Sequence, residues 1–175
     1  MSKLKLATVW LDGCSGCHMS LLDLDEAILA VAEKADLVYG PLVDATEFPE
    51  GVDVTLVEGA VSSQDDLKKL QTIRARTRVL VALGDCAVTS NVPSMRNSIP
   101  VGRLLQRIYI EGVETTPGVP TDGVPPLLPQ ARPVHDFVAV DAHLPGCPPP
   151  PAAILTVVSD LLAGKKPAIS GVKFG

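Results

Sequence analysis

Short, mostly apolar runs recur along this chain at intervals that suit buried strands. The runs that we interpret as five strands cover residues 4–11, 36–43, 52–59, 77–87 and 136–147. The fourth run leads into a glycine-containing turn, and the fifth includes the loop that follows its strand. Each run is dominated by Val, Leu and Ala, which is typical of strands covered on both faces.

The segments between these runs carry apolar residues at spacings of three and four, which predict amphipathic helices. A first helix is expected over residues 15–35. A second should begin at Ser62 or Ser63, because each has an Asp three residues further on, as in a capping box. A last helix is expected over residues 151–162, with proline in its first turn.

Strands that alternate with helices predict a parallel sheet with helices on both faces. We therefore expect an α/β fold, a flavodoxin-like doubly wound parallel sheet, as a single domain over residues 1–175. The exception is a Pro-rich segment over residues 88–135, which holds eight prolines and one short helix around 101–110. Because so long a stretch without regular structure is unusual in a compact domain, we expect a partner subunit to contact and order it. A plain surface excursion is the alternative.

Composition and charge narrow the functional classes. The net charge is −5 with both signs interspersed, which argues against nucleic acid as a partner. No apolar run approaches the 18 or so residues of a membrane span, and the N-terminal sequence lacks a secretory signal. We expect a cytoplasmic protein, without a membrane partner, in which disulfides are uncommon.

The four cysteines all follow predicted strands. Cys14 and Cys17 come after the first strand, Cys86 after the fourth, and Cys147 in the loop after the fifth. In open parallel sheets the carboxyl ends of the strands meet at one edge, where ligands bind. The sequence therefore predicts that four thiols converge on one site.

Several kinds of site use such thiols. An iron–sulfur cluster accepts one close pair with two distant partners, so we favour it. A structural zinc site stays open as the alternative, although it usually has two close pairs. The stretch from Cys14 to His18 also has the spacing of a covalent haem site, and its close pair that of a thioredoxin-type redox motif. Both of these interpretations leave Cys86 and Cys147 without a role.

Other residues near the cysteines are candidates for supporting roles. Gly13 and Gly16 would let the backbone approach a cluster closely. His18 could donate a hydrogen bond to a cluster sulfur, or simply pack in the first turn of its helix. Glu58 is either a carboxylate that supports the site or relays protons near a subunit interface, or simply a charge at a helix start or a surface turn residue. Asp85 is expected only to shape the turn before Cys86.

Four stretches taken together resemble one family. They are "LDGCSGCHMS" after the first strand, "VEGAV" after the third, "GDCA" after the fourth and "LPGCPPPP" before the last helix. In these motifs the chain resembles the small subunit of nickel–iron hydrogenases over essentially its whole length. The resemblance implies that Cys14, Cys17, Cys86 and Cys147 bind one proximal 4Fe–4S cluster, beside an active site in the large subunit.

The chain is most similar to the short small subunits of soluble, bidirectional, NAD-reducing hydrogenases, since it ends at Gly175 with no further cysteine and has no export signal. That resemblance implies an electron-transfer subunit with no catalytic residue of its own. The partners it implies are a large subunit with the nickel–iron site, a ferredoxin-like iron–sulfur subunit, and a flavin diaphorase subunit that holds FMN and uses NAD.

Two alternative functions remain from the sequence. One is a cluster subunit of a quinone oxidoreductase like respiratory complex I, whose subunits carry adjacent cysteines where this chain has Ser15 and Gly16 between two cysteines. The other is a non-catalytic interaction module stapled by zinc. We do not expect FMN on this chain, because the stretch "DGCSGC" is not a phosphate-binding loop.

Overall fold

The computed structural model describes residues 3–167, so the ends of the expected 1–175 domain lie outside the described part. The strands are β1 (Leu4–Trp10), β2 (Ala35–Tyr39), β3 (Val52–Glu58), β4 (Val61–Ser63), β5 (Thr77–Leu83), β6 (Leu127–Arg132) and β7 (Ala142–Leu144). The α-helices are α1 (Gly16–Leu22), α2 (Ala27–Lys34), α3 (Gln64–Arg76), α4 (Gly84–Thr89), α5 (Val101–Gln106) and α6 (Pro151–Leu162). Short 3₁₀ or π turns cover Val92–Ser98, Arg107–Glu111 and Val134–Asp136.

Five strands form a parallel sheet in the order β2-β1-β3-β5-β7. Counted among these five strands alone, the order is 2-1-3-4-5, which is that of flavodoxin-like sheets. The predicted fold class is therefore confirmed. The strand order reverses between β1 and β3, so the usual ligand crevice of this fold lies beyond their carboxyl ends.

The strand ends lie in register along that edge. Trp10 pairs with Glu58, Glu58 pairs with Leu83, and Leu83 pairs with Leu144. A single row of four residues thus marks the carboxyl ends of β1, β3, β5 and β7. Each cysteine follows a member of this row by a few residues.

The sheet has a buried core on each face. On one face Val57 of β3 belongs to the same cluster as Leu70 and Ile73 of α3. On the other face Leu56 belongs to the cluster of Ile154 in α6. Each such aliphatic side chain contributes about 1.5–3 kcal/mol when it is removed from water. Burial on both faces explains why the strand runs are apolar throughout rather than alternating.

The start predicted for α3 and the limits predicted for α6 are confirmed. Ser63 caps α3: its hydroxyl accepts the N–H of Asp66 at 3.1 Å, and its own N–H donates to Asp66 Oδ2 at 2.9 Å. This is a complete capping box. The structure thereby selects Ser63 over Ser62 as the capping residue. Among the helices described in residues 3–167, none is long and apolar enough to cross a bilayer.

The single first helix predicted over 15–35 is wrong, because the segment forms α1 and α2 with a break between them. Asp25 adopts the left-handed conformation at φ +49°, which does not continue a right-handed helix. Leu24, inside the break, is nevertheless buried in the core. The apolar spacing therefore continues across the break, so the pattern read as one helix.

The last two predicted strands are shorter than their apolar runs. β5 ends at Leu83, and the glycine-containing turn expected after it is the first part of α4. β7 is only three residues long. Phe137 and Val140 pack against the core from the segment before β7, so their burial, not strand pairing, makes that run apolar.

The Pro-rich segment is more regular than expected. It contains α5 and the following π turn where a short helix was predicted, but also β6, which pairs antiparallel with β4. Asn97, in the 3₁₀ turn Val92–Ser98, joins the start of the segment to β6. Its side chain donates to Ala131 O and accepts from the Ala131 N–H, both at 2.8 Å. Arg96 donates to Ser62 O at 3.1 Å and to Leu128 O at 3.0 Å. The expectation of a stretch without regular structure is therefore wrong.

The short pairing of β7 with β5 is reinforced at its start by Asp141. The N–H of Asp141 donates to Leu80 O at 2.9 Å, and Asp141 Oδ2 accepts the N–H of Leu80 at 2.7 Å. Arg74 Nη1 donates to the same carboxylate oxygen at 2.6 Å. Although partial burial would raise the pKa of Asp141, these hydrogen bonds and the Arg74 charge hold its pKa below the ordinary value.

The Asp141 carboxylate should make stability depend on acid pH. A lowered folded-state pKa stabilises the protein above the unfolded-state pKa, and this stabilisation is lost as pH falls through the folded-state value. Between pH 7 and about pH 3, the free energy of unfolding should therefore fall more in the wild type than in Asp141→Asn. Urea unfolding at a series of pH values measures this difference. Parallel curves for the two proteins would contradict it.

Candidate iron-sulfur site

The four cysteine thiols line one cavity of about 80 Å³ at the carboxyl edge of the sheet. The other lining residues are Gly16, Glu58, Asp85, Gly146 and Pro148. The structure thus brings together the thiols that the sequence places on three separate segments. Among residues 3–167, no three His, Cys, Asp or Glu side chains lie close enough together to hold a single metal ion.

The first two thiols come from the turn between β1 and α1. Ser15 lies in the left-handed region at φ +61° and precedes α1, so the chain reverses between Cys14 and Cys17. The N–H of Gly16 donates to Cys14 Sγ at 3.4 Å. Trp10 is 45% exposed, and its indole N–H donates to Gly13 O at 3.0 Å. The indole thereby supports the start of the cysteine turn.

The other two thiols come from α4 and from the loop after β7, which contact each other. Cys86 lies on α4, directly after Asp85, and Cys147 directly follows Gly146. The N–H of Asp85 donates to Gly146 O at 2.9 Å, and the N–H of Gly146 donates to Asp85 Oδ1 at 2.6 Å. Asp85 therefore shapes the turn before Cys86, as expected, and also joins it to the second loop.

The four thiols differ in depth. Cys17 is buried and Cys86 half-buried, whereas Cys14 and Cys147 are exposed. Burial, then the Glu58 carboxylate, then the other thiols raise the pKa of Cys17. Burial also raises the pKa of Cys86, against a hydrogen bond from the Val92 N–H. These thiols stay protonated in the free chain, and metal binding would displace their protons.

Gly84, which the sequence analysis missed, makes room for the deepest thiol. It adopts φ +81°, where side chains are strained, and a Cβ there would overlap Cys17 Sγ. Gly16 has a similar but milder role, since its Cβ would lie 3.2 Å from Cys14 Sγ. At both positions the backbone occupies space beside a cysteine sulfur that a side chain would fill. A glycine directly after an apolar strand and two residues before a cysteine was the available signal.

The set of four thiols with glycine clearance fits an iron–sulfur cluster, whose ligands are cysteine thiolates. The outer thiols also border a second cavity of about 280 Å³, which reaches Asp12, Val92 and Pro93. The inner wall is thus closed by protein, while the outer wall opens to the surface. That Cys14, Cys17, Cys86 and Cys147 are the ligands stays a prediction.

His18 and Glu58 form a buried pair beside the cavity. The N–H of His18 donates to Glu58 Oε2 at 3.0 Å, and His18 Nδ1 is hydrogen-bonded to the same oxygen. Glu58 is only 1% exposed, so its interpretation as an ordinary surface turn residue is wrong. His18 Nε2 is buried without a hydrogen-bond partner among the described residues.

Gly13 lies against the end of β3. A Cβ at Gly13 would lie 3.3 Å from the Cα of Gly59 and 3.7 Å from Glu58 Oε1. The missing side chain therefore allows the turn after β1 to pack tightly on the end of β3. This packing places the cysteine turn over the carboxyl edge of the sheet.

Substitution of Gly84 should separate steric clearance from backbone strain. We expect Gly84→Ala to lower both the iron content and the thermal midpoint, because the new methyl group displaces Cys17 Sγ. Gly164→Ala is the matched control, since Gly164 also has positive φ (+69°) but no other group lies within 4 Å of the position that its Cβ would take. The control's free energy of unfolding should fall by only about 1 kcal/mol, which is the cost of backbone strain. Its iron content should stay unchanged. Equal iron contents in the two variants would contradict the clearance role.

Comparison with known proteins identifies relatives along nearly the whole chain. A family model described as "NADH ubiquinone oxidoreductase, 20 Kd subunit" matches residues 14–161. The "NAD-reducing hydrogenase HoxS subunit delta" of Cupriavidus necator is 36% identical over 168 residues, which are 93% of this chain and 80% of that protein. A vhu subunit of the F420-non-reducing hydrogenase of Methanocaldococcus jannaschii is 37% identical over 167 residues. That match covers 94% of this chain, but the chain spans only 58% of that relative's length.

A solved structure agrees with these sequence relatives. A chain of the crystal structure of an NAD⁺-reducing [NiFe]-hydrogenase in the H₂-reduced state superposes with a TM-score of 0.95 and 37% identity. The match covers 99% of this chain and all of that one. The resemblance inferred from the four motifs, three of which contain cysteine, is confirmed. The chain belongs to the family of nickel–iron hydrogenase small subunits, within the wider family of the 20 Kd subunit of NADH ubiquinone oxidoreductase.

Proposed function

We propose that this chain is the electron-transfer small subunit of a nickel–iron hydrogenase that couples hydrogen oxidation or proton reduction to NAD. The observation that carries the proposal is the convergence of four thiols from three chain segments on one cavity. The full-length similarity to a chain of an NAD⁺-reducing [NiFe]-hydrogenase supports the same function.

In this proposal Cys14, Cys17, Cys86 and Cys147 hold one 4Fe–4S cluster. Such a cluster, when bound, supplies one-electron transfer. The chain's own residues set its surroundings. The buried Cys17, with Gly84 beside it, keeps the inner side dry, while the exposed Cys14 and Cys147 keep the outer side near the surface. An electron donor or acceptor on another subunit can then come close to the outer side.

The remaining components belong to partner subunits in this proposal. Hydrogen is split at a nickel–iron site on the large subunit, and this chain contributes no catalytic residue. Electrons pass through a ferredoxin-like iron–sulfur subunit to a flavin diaphorase subunit with FMN, which reduces NAD. The NAD-reducing relative supports this route. Because this proposal uses all four cysteines as cluster ligands and none in a disulfide, it fits a reducing compartment, and we propose a cytoplasmic location.

The Pro-rich segment over 88–135 is the proposed contact surface for the large subunit. Val92, Met95 and Ile99 are 60%, 76% and 44% exposed in the part of this segment that follows Cys86. Clusters of exposed apolar side chains mark protein–protein contacts. Because Val92 also borders the outer cavity beside Cys14 and Cys86, this contact would cover the exposed side of the cluster.

A quinone oxidoreductase subunit is the second candidate, because the matching family model carries the description of such a complex's 20 Kd subunit. The two candidates share the cluster but differ in the electron acceptor. Hydrogen-dependent reduction of NAD by the purified complex supports the hydrogenase function. Hydrogen-independent reduction of a quinone supports the other.

Metal analysis tests the proposed cluster directly. Anaerobically purified protein should contain about four irons and four acid-labile sulfides per chain for this cluster. One zinc without sulfide, persisting after anaerobic reconstitution, would contradict the proposal and indicate a zinc-stapled interaction module.

Cys86→Ser should lower the iron content and uncouple hydrogen oxidation from NAD reduction. Thr89→Ser, an exposed position on the same helix α4, is the control and should retain both. Full NAD-linked activity in Cys86→Ser would disprove its role as a ligand.

Limited proteolysis tests the contact surface. In the isolated chain, protease should cut within 88–135, especially near the exposed Met95, because no partner covers it. In the complex with the large subunit this region should be protected, while cleavage elsewhere stays unchanged. Mass spectrometry of the fragments locates the cuts. Cleavage at the same rate in both states would show that the segment does not contact the partner.

A further inference from the structure

We propose that Asp85 is a positioning residue that sets the distance between two cluster ligands, Cys86 and Cys147. The proposal rests on the electron-transfer function above. It concerns how this chain holds the two ligand loops together, a task that the four cysteines do not perform themselves.

The geometry is a closed pair of hydrogen bonds between the residues directly preceding the two ligands. The N–H of Asp85 donates to Gly146 O at 2.9 Å, and Asp85 Oδ1 accepts the N–H of Gly146 at 2.6 Å. Asp85 is only 3% exposed, so water competes little for these bonds. We call this pair of hydrogen bonds the Asp85 clamp.

Among residues 3–167, few other hydrogen bonds hold the loop that carries Cys147. β7 pairs with β5 through three residue pairs, the last of which is Leu83 with Leu144. Beyond Leu144 the sheet pairing stops, and three more residues reach Cys147. Ser20 adds one hydrogen bond from α1, donated by its hydroxyl to Pro149 O at 2.6 Å.

Gly146 is a position where only backbone groups can serve. It adopts φ +132°, and a Cβ there would lie 2.6 Å from the Cα of Pro149. Gly146 therefore has no side chain that could help to hold its own loop. Asp85 supplies an acceptor, and the buried N–H of Gly146 is thereby satisfied.

A second clamp at the opposite end of β7 provides a matched control. Asp141 exchanges the same two kinds of hydrogen bond with Leu80, at 2.9 and 2.7 Å. Both clamps join the β5 segment to the β7 segment through an aspartate. Only the Asp85 clamp adjoins cysteines, and Asp141→Ala also removes the ion pair between Asp141 and Arg74. The control variant therefore removes more bonds than Asp85→Ala, but at the end of β7 opposite the cysteines.

The experiment compares Asp85→Ala, Asp85→Asn and Asp141→Ala in the anaerobically purified complex. The measured quantities are the rate of iron release to a chelator, the electron paramagnetic resonance signal of the cluster, and the thermal midpoint. Asp85→Ala should release iron about tenfold faster or more, the scale typical for residues that orient metal ligands. Its electron paramagnetic resonance signal should differ from that of the wild type, whereas the signal of Asp141→Ala should not. Asp85→Asn should stay near the wild type, because its amide oxygen still accepts the Gly146 N–H.

Asp141→Ala should lower the thermal midpoint and leave the rate of iron release unchanged. Equal iron release from Asp85→Ala and Asp141→Ala would overturn the proposal. So would an Asp85→Asn variant as defective as Asp85→Ala, because the charge rather than the hydrogen bond would then matter. A wild type without iron and sulfide would instead refute the proposed function, and this inference with it.

Hydrogen exchange tests the clamp without any variant. In the stretch "PGCPPPP", residues 145–151, only Gly146 and Cys147 have backbone N–H groups. A peptide over this stretch from the native complex should retain one slowly exchanging hydrogen, that of Gly146. Fast exchange of both hydrogens would overturn the proposal even if Asp85→Ala failed to fold.

Discussion

The site depends on the alignment of four strand ends at one edge of a parallel sheet. Trp10, Glu58, Leu83 and Leu144 pair in a continuous row across β1, β3, β5 and β7. Only this register lets short loops bring thiols that are far apart in sequence to one cavity. The aliphatic cores on both faces maintain the register, because a slip by one residue would exchange side chains between two differently packed cores.

Close approach of backbone to sulfur is the second requirement. Gly84 clears space for Cys17, and Gly13 lets the first cysteine turn pack on Gly59. The deep and exposed thiols that result give the site two different sides. The inner side is enclosed by protein, and the outer side adjoins the exposed Val92, where we propose that a partner binds.

Few hydrogen bonds hold the segments that carry Cys86 and Cys147. β7 has three residues, and an aspartate at each end of its pairing with β5 bonds the two segments together. This arrangement separates two tasks. Asp141, with Arg74, stabilises the sheet, whereas Asp85 acts where the sheet has ended and the cysteines begin. Glu58, at the end of β3, accepts from His18 and so ties α1 to the same edge.

The sequence by itself determined the sheet class, the limits of α6, the capping of α3 and the four convergent cysteines. These features follow from local signals: apolar runs, helical spacing, capping residues, and the rule that parallel strands share a carboxyl edge. Only the tertiary structure decided the break at Asp25, the pairing of β4 with β6, the burial of Glu58 and the bonds of Asp85 with Gly146. The last three of these features depend on contacts between segments distant in sequence, and such contacts leave no periodic trace in the residues that make them.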